Sequence, residues 1–273
     1  MKISNRINKV PPYLFFEISK KIQAKEAEGK EILDFGIGDP DIPTPDFILQ
    51  KLIEESSNPV NHRYPESDGM IELRTTIANW YKKRFKVNLN PENEVIGLIG
   101  GKEGIGHAAL AFLDPGDIAL VPDPHYPVYS RGTWFAGAEC HFMPLKEENN
   151  FLPDLENIPS DILKKAKIMW INYPNNPTGA IAGLDFFNKV IEFGIKHDIA
   201  ILHDAAYSEI TYDGYRAPSI MEIPKSKEIA IEFDRLGIGY ELVFPVPVKT
   251  RYSSKNWHLD FYINFPFRGF IEL

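Results

Sequence analysis

Cysteine is nearly absent from the sequence, with Cys140 the single example among 273 residues. One cysteine cannot form an internal disulfide, so the small disulfide-stapled folds of secreted proteins are excluded. A reducing compartment is the simpler expectation. We predict that Cys140 fills apolar space rather than carrying chemistry.

Long hydrophobic runs and an excess of basic residues are also lacking. The apolar stretch VPPYLFFEI, which follows the charged start MKISNRINKV, is interrupted by prolines and too short for a signal-peptide core or a membrane span. Asp and Glu number 38 against 30 Lys and Arg, so the chain lacks the positive charge needed for contacts with a nucleic-acid backbone. The sequence therefore predicts a cytoplasmic protein whose partners include neither nucleic acid nor a membrane.

Hydrophobic residues make up 44% of the chain, enough for a large core. Short apolar runs alternate with longer segments of helical spacing such as Leu184–His197, a rhythm typical of an α/β fold with a mostly parallel sheet. Runs such as KIMWIN and IAILHD are apolar almost throughout, which favours strands covered on both faces. We predict a doubly wound α/β/α layer with strands at 94–99, 117–121, 139–143, 167–172, 199–203 and 228–233.

A glycine-rich turn follows the first predicted strand. The run VIGLIG continues into Gly101, Lys102 and Gly104 before a segment of helical spacing. Backbone N–H groups at a helix start attract phosphate, and glycine lets the anion approach closely. The turn therefore indicates a phosphate site with added charge from Lys102, or else an ordinary tight turn beside a solvated lysine.

Three later strand ends carry polar or aromatic groups, and ligands collect beyond the carboxyl ends of such strands. Tyr126 follows IALVP and could stack on a flat ring or pack in the core. The loop YPNNPTG at 173–179 offers two amides, although asparagine and proline are also common in plain turns. Asp204 ends IAILHD, where a carboxylate could meet a protonated heterocyclic nitrogen, cap a helix or form an internal hydrogen bond.

The loop YPNNPTG, followed by DAAY at 204–207, resembles the fold-type I pyridoxal-phosphate aminotransferases. The resemblance implies an aspartate aminotransferase-like large domain and pyridoxal 5'-phosphate as the cofactor. It also implies that Gly101 and Lys102 hold the cofactor phosphate and that Tyr126 stacks on its ring. The full set of implied cofactor contacts is Tyr64, Gly101, Lys102, Tyr126, Asn176, Asp204 and Tyr207.

The resemblance gives the remaining cofactor contacts distinct roles. Asn176 and Tyr207 would hydrogen-bond the phenolic oxygen of the ring, and Asp204 would pair with the pyridinium nitrogen. A carboxylate at that nitrogen keeps it protonated, so the ring can accept the electron pair left when a substrate proton departs.

The start of the chain carries a narrower resemblance, because PPYLFFEI and DFGIGDPDIPTP look like the substrate-facing arm and loop of the LL-diaminopimelate aminotransferases. Tyr64, in HRYPESDG, matches a tyrosine that reaches the phosphate of the neighbouring subunit, which implies a homodimer. The implied substrate contacts are Tyr13, Gly38, Lys102, Tyr126 and Asn176. Alternatively, Tyr13 could anchor the arm and Gly38 could be an ordinary turn residue.

The chain departs from this family pattern after Phe233. Such enzymes bind the cofactor through a lysine that later moves a proton between substrate and cofactor carbons. Carrying the register forward from DAAY places Ile238 at the lysine position, and residues 234–273 lack the usual lysine and arginine motifs. We expect that a frameshift or gene fragment replaced the family sequence there. Lys249 or Lys255 would substitute only with near-attack geometry.

The sequence thus predicts three segments. Residues 1–40 form an N-terminal arm and substrate-facing loop, 41–233 an incomplete cofactor-binding domain, and 234–273 a non-matching tail without the C-terminal small domain. The expected family reaction exchanges an amino group between an amino acid, LL-diaminopimelate first, and 2-oxoglutarate, with this chain inactive if the lysine is missing. The alternatives are a carbon–sulfur lyase of the same fold and a non-catalytic fragment.

Overall fold

The computed structural model describes residues 2–12, 14–34, 42–235 and 241–243. Its centre is a seven-stranded sheet. The strands are β1 (Ile96–Gly97), β2 (Ile118–Asp123), β3 (Glu139–Pro144), β4 (Ala166–Asn172), β5 (Ala200–Asp204), β6 (Ala230–Arg235) and β7 (Glu241–Val243).

Seven α-helices are described. They are α1 (Leu14–Ala27), α2 (Asp46–Ser56), α3 (Ile71–Phe85), α4 (Gly101–Phe112), α5 (Pro127–Phe135), α6 (Ser160–Leu163) and α7 (Leu184–His197). Of these, α3, α4, α5 and α7 contribute buried residues to the hydrophobic clusters on the sheet. Within the described ranges, none of the helices has the length and apolar character to cross a membrane.

The strand order is β1-β7-β6-β5-β4-β2-β3. The five strands from β6 to β3 pair in parallel, whereas β7 runs antiparallel to both β6 and β1. Because parallel strands end at the same edge of a sheet, the segments that follow β2, β4 and β5 emerge together. The register places Asn172 opposite Asp204, and His203 opposite Glu232.

Alternating side chains cover the two faces of the sheet with separate hydrophobic clusters. On β4, Ile168 and Trp170 pack with α4 and α5, while Met169 and Ile171 pack with α3 and α7. Successive side chains of a strand point to opposite faces, so an apolar run such as KIMWIN suits a strand buried on both sides. The prediction of a doubly wound α/β/α fold is confirmed.

All six predicted strands are present with bounds that differ by one or two residues, and two of them begin two residues later than predicted. The strand predicted at 94–99 is reduced to Ile96–Gly97, because the N–H of Gly97 donates to Asp68 O and that of Ile99 to the Glu103 carboxylate. The strand predicted at 228–233 begins only at Ala230, since a 3-10 turn precedes it. Local hydrogen bonds thus take the place of strand pairing around β1 and before β6.

Cys140 lies on β3 and is only partly buried. Burial raises the pKa of its thiol to about 11, so the thiol stays protonated at neutral pH. This agrees with a packing role.

Two helical glycines allow a matched test of the packing between α7 and β5. A Cβ on Gly194 would lie 2.9 Å from Ile199 O and 2.9 Å from Cγ1 of Ile201, whereas a Cβ on Gly106 would meet nothing within 4 Å. Overpacking should make Gly194→Ala lower the free energy of unfolding by about 1–3 kcal/mol in urea titrations. The control Gly106→Ala should leave it unchanged or raise it by about 0.5–1 kcal/mol. Equal effects would contradict this packing.

Candidate active site

Asp204 is the charged residue at the centre of the strand ends. The residue is only 7% exposed, and its carboxylate accepts a hydrogen bond of 2.5 Å from the hydroxyl of Tyr129. The N–H of Ala206 also donates to it, at 3.3 Å. A buried carboxylate needs such donors because they replace the water it lost.

Tyr129 is fixed by stacking as well as by this bond. Its ring lies parallel to that of Trp170, with centroids 4.7 Å apart and an interplanar angle of 9°. Burial, and then the charge of Asp204, hold the pKa of Tyr129 well above its ordinary value. The phenol therefore stays protonated and donates to Asp204.

Asn172, the last residue of β4, links the two strand ends. Its amide nitrogen donates to Asp204 O at 2.8 Å, and its side-chain oxygen accepts from the backbone N–H of Asn176 at 2.7 Å. The next loop closes on itself, since the side-chain oxygen of Asn175 accepts from both the N–H and the hydroxyl of Thr178. The loop at 173–179, which we call the asparagine turn, is thus closed by its own side chains and held against β5 by Asn172.

Asn176 and Tyr207 meet at the front of this arrangement. The amide nitrogen of Asn176 lies 3.4 Å from the hydroxyl of Tyr207, and both side chains are partly buried. Tyr126 is also partly buried, with its ring edge-on to that of Tyr129 at 5.8 Å. We call Tyr126, Tyr129, Asn176, Asp204 and Tyr207 the strand-end cluster.

The predicted phosphate turn lies at the start of α4. Gly100 has a φ of 142°, which favours glycine, and Gly101 is buried as the first helical residue. Glu103 accepts the N–H of Ile99 at 2.8 Å. Lys102 is exposed. Because α4 packs on α5, this turn and Tyr126 belong to the same helical layer.

Other predicted residues lie apart from the cluster. Tyr64 is 80% exposed, so it takes no part in a buried site within the described part of a single chain. Tyr13, Gly38 and Ile238 lie outside the described residues, and so do Lys249 and Lys255.

Two residues of the arrangement were missed by sequence reasoning. Tyr129 follows Tyr126 by one helical turn, which could have placed both rings on the same side of α5. Asn172 is the last residue of an apolar run, so it could have been predicted as a strand-end polar group in the same way as Asn175 and Asn176.

Comparison with known proteins identifies the family. A family model described as "Aminotransferase class I and II" matches residues 30–232. The chain belongs to the class I and II aminotransferases. The match of this aminotransferase chain contains every member of the strand-end cluster.

Curated relatives give a narrower similarity for this aminotransferase chain. It is 59% identical over 242 residues to an LL-diaminopimelate aminotransferase of Dehalococcoides mccartyi, and 54% identical to one of Moorella thermoacetica. Both alignments cover 89% of this chain and 62% of the relative. The chain therefore spans less than two thirds of the length of these relatives.

Solved structures agree on the fold of this aminotransferase chain. Substrate-bound BacF from Bacillus subtilis superposes with a TM-score of 0.83 at 38% identity, covering 89% of this chain and 64% of that one. A Thermus thermophilus aspartate aminotransferase mutant superposes with a TM-score of 0.79 at 23% identity, covering 89% and 64%. The predicted aspartate aminotransferase-like fold is confirmed.

The predicted segment boundaries remain predictions. The family match ends at residue 232, next to Phe233, while the 242 residues aligned with the relatives outnumber the 233 that precede the predicted break.

Removing the Tyr129 hydroxyl should expose the cost of burying Asp204. Tyr129→Phe keeps the ring but deletes a donor to a buried carboxylate, so the free energy of unfolding should fall by about 1–3 kcal/mol. The control Tyr215→Phe deletes a partly exposed hydroxyl that donates to Ala182 O at 3.2 Å, and should cost about 0.5 kcal/mol. Urea titration measures both values, and equal losses would contradict a special role for the Tyr129 bond.

Proposed function

We propose that this chain binds pyridoxal 5'-phosphate at the strand-end cluster, and that the cofactor is used for amino transfer between an amino acid and a 2-oxo acid. The observation that carries the proposal is Asp204, a buried carboxylate held by Tyr129 beside the Asn176–Tyr207 pair. A single buried acid next to neutral amide and phenol groups suits a ligand with both a cationic nitrogen and an anionic oxygen.

The donor set fits each part of this cofactor. Asp204 would accept from the pyridinium nitrogen, and Asn176 with Tyr207 would donate to the phenolic oxygen. Tyr126, partly buried after β2, offers an aromatic face for a flat ring. When bound, the cofactor supplies an electron sink for the carbon that loses a proton.

The chain's own hydrogen bonds keep the acid charged and in place. The Tyr129 hydroxyl donates to Asp204, and a donor of this kind favours the ionised form of a carboxylate. Asn172 holds the Asp204 carbonyl and the Asn176 N–H with opposite ends of one amide, which fixes the separation of the two groups. Both contacts are made within the chain itself, which reduces the ordering cost of binding.

The turn at the start of α4 would hold the phosphate. Its backbone N–H groups at Gly101 and Lys102 lie at the positive end of a twelve-residue helix. The exposed ammonium of Lys102 can swing toward an anion from this position.

The substrate proposal rests on similarity rather than on contacts. Relatives of more than half identity are named LL-diaminopimelate aminotransferases, which supports LL-diaminopimelate as amino donor and favours amino transfer over the lyase alternative. We assign 2-oxoglutarate as acceptor on the family resemblance alone. Tyr13, Gly38, Lys102, Tyr126 and Asn176 are the proposed substrate contacts.

The proposed assembly is a homodimer that Tyr64 would enter as a contact to the partner's phosphate. Tyr64 is 80% exposed, and Val60 and Phe47, earlier in the same part of the chain, are 73% and 72% exposed. A second copy that covered such side chains would remove apolar area from water. A cytoplasmic location likewise stays a prediction.

Replacing the Asp204 carboxylate tests the cofactor proposal. Asp204→Asn keeps the shape but removes the charge that would face the ring nitrogen, so affinity for pyridoxal 5'-phosphate should fall about ten-fold or more. The control Asp198→Asn changes an exposed acid just before β5 and should bind like the parent chain. Quenching of tryptophan fluorescence gives both affinities. Absence of saturable binding by the parent chain would overturn the proposal.

Borohydride trapping separates binding from catalysis. With isoleucine at position 238, we expect bound cofactor to leave the chain on dialysis and borohydride to fix no stoichiometric adduct. Peptide mapping by mass spectrometry checks this. A single adduct on Lys249 or Lys255 would contradict it, and would show that this chain has a substitute for the expected lysine.

A further inference from the structure

A second buried polar cluster lies on the face of the sheet opposite Asp204. His203, the residue before Asp204, is fully buried between β6 and α7. Its Nδ1 lies 2.8 Å from Oε2 of Glu232, and its Nε2 lies 3.1 Å from the backbone oxygen of Tyr173. One imidazole thus bridges β6 and the start of the asparagine turn.

Glu232 has the surroundings of an ionised carboxylate. Its Oε1 accepts from the hydroxyls of Tyr81 at 2.7 Å and Ser219 at 2.6 Å, and its Oε2 accepts from the N–H of Ile220 at 3.0 Å and lies in contact with His203. Burial opposes ionisation, but His203 and these donors together hold the pKa of Glu232 below its usual value. Three donors other than His203 therefore already contact the two carboxylate oxygens, which favours the ionised form of Glu232.

The partners of His203 then determine its protonation. An ionised Glu232 requires a proton on Nδ1, and a backbone carbonyl only accepts, so the contact with Tyr173 requires a proton on Nε2. We infer that His203 is a buried imidazolium, paired with Glu232, whose second N–H holds the Tyr173 carbonyl and positions the turn that carries Asn176.

Other groups around the pair are compatible with this charge. Asp234, two residues after Glu232 on the same face of β6, lies 3.0 Å from the Tyr81 hydroxyl and accepts from Ser208 at 3.1 Å. From α7 the neighbour is the ring of Phe187, with its centroid 4.9 Å from that of His203.

The positioning effect follows from the place of Tyr173 in the chain. Tyr173 directly follows Asn172, whose side-chain oxygen accepts from the N–H of Asn176 and whose backbone oxygen accepts from the side chain of Asn175. A neutral imidazole could donate to Glu232 or to Tyr173, but not to both. Loss of the proton would therefore release one anchor of the turn. The consequence for cofactor binding rests on the proposed function, whereas the protonation state and the anchoring do not.

Nitrogen-15 NMR of the full chain, labelled in histidine and free of cofactor, tests the charge directly. We expect both ring nitrogens of His203 to show protonated chemical shifts at neutral pH, with ring protons protected from exchange. Contacts to the Phe187 ring assign the signal without any substitution. A neutral ring with one protonated nitrogen would overturn the inference, including the case in which the proton resides on Glu232.

Hydrogen exchange tests the positioning. Glu232→Gln removes the partner charge, so His203 should become neutral and the amides of residues 175–180 should exchange about ten-fold faster or more, while those of β2 keep their protection. The control Tyr81→Phe also deletes a donor to Glu232 but leaves its charge, and should not open the turn selectively. Equal opening of the turn in both variants would refute positioning by His203.

The same two variants relate the inference to the proposed function. If the turn opens in Glu232→Gln and affinity for pyridoxal 5'-phosphate falls with it, both ideas are supported. If the turn opens but the parent chain binds no cofactor, the proposed function fails and the positioning by His203 stands. If the turn stays closed, the inference fails whatever the cofactor does.

Discussion

The pairing of β4 with β5 is the constraint on which the rest of the site depends. It places Asn172 opposite Asp204, so that one amide can hold the Asp204 carbonyl and the Asn176 N–H at the same time. A slip of one residue would turn every side chain of a strand to the other face. The same slip would bury Asp204 beside α3 and α7 and remove it from Tyr129. Packing of both apolar faces therefore determines the position of Asp204 relative to Tyr129 and Asn172 as well as the arrangement of the core.

The period of two along β5 gives its last two residues different surroundings. His203 points to the face of α3 and α7, where Glu232 contacts it, and Asp204 points to the face of α4 and α5, where Tyr129 contacts it. Each buried charge would be costly alone, and each lies in a set of short hydrogen bonds. The two sets share the backbone of β5 and the asparagine turn. Order in the turn thus depends on polar groups from both sides of the sheet.

The sequence was sufficient to predict what depends on local pattern. Apolar runs located all six predicted strands, and the strand ends pointed to Asp204 and the amides of the loop at 173–179, whereas the roles given to Asn176 and Tyr207 came from the family resemblance. Contacts between residues distant in sequence were not predictable in the same way. His203 and Glu232 are 29 residues apart, and Tyr81 reaches Glu232 across 151 residues. Those pairs follow from strand register and from the packing of α3, which no short window of sequence contains.

The residues proposed to hold the cofactor and the position expected for its lysine come from separate parts of this chain. The strand-end cluster comes from the end of β5 and from the segments that follow β2, β4 and β5, and its last member is Tyr207. The position expected for lysine, Ile238, comes later in the sequence than β6 and lies outside the described residues. Under the proposed function, an isoleucine at that position would remove a base and a covalent anchor without removing the acid, amide and phenol groups. We therefore expect the chain to keep the proposed recognition groups while lacking the group that moves the proton.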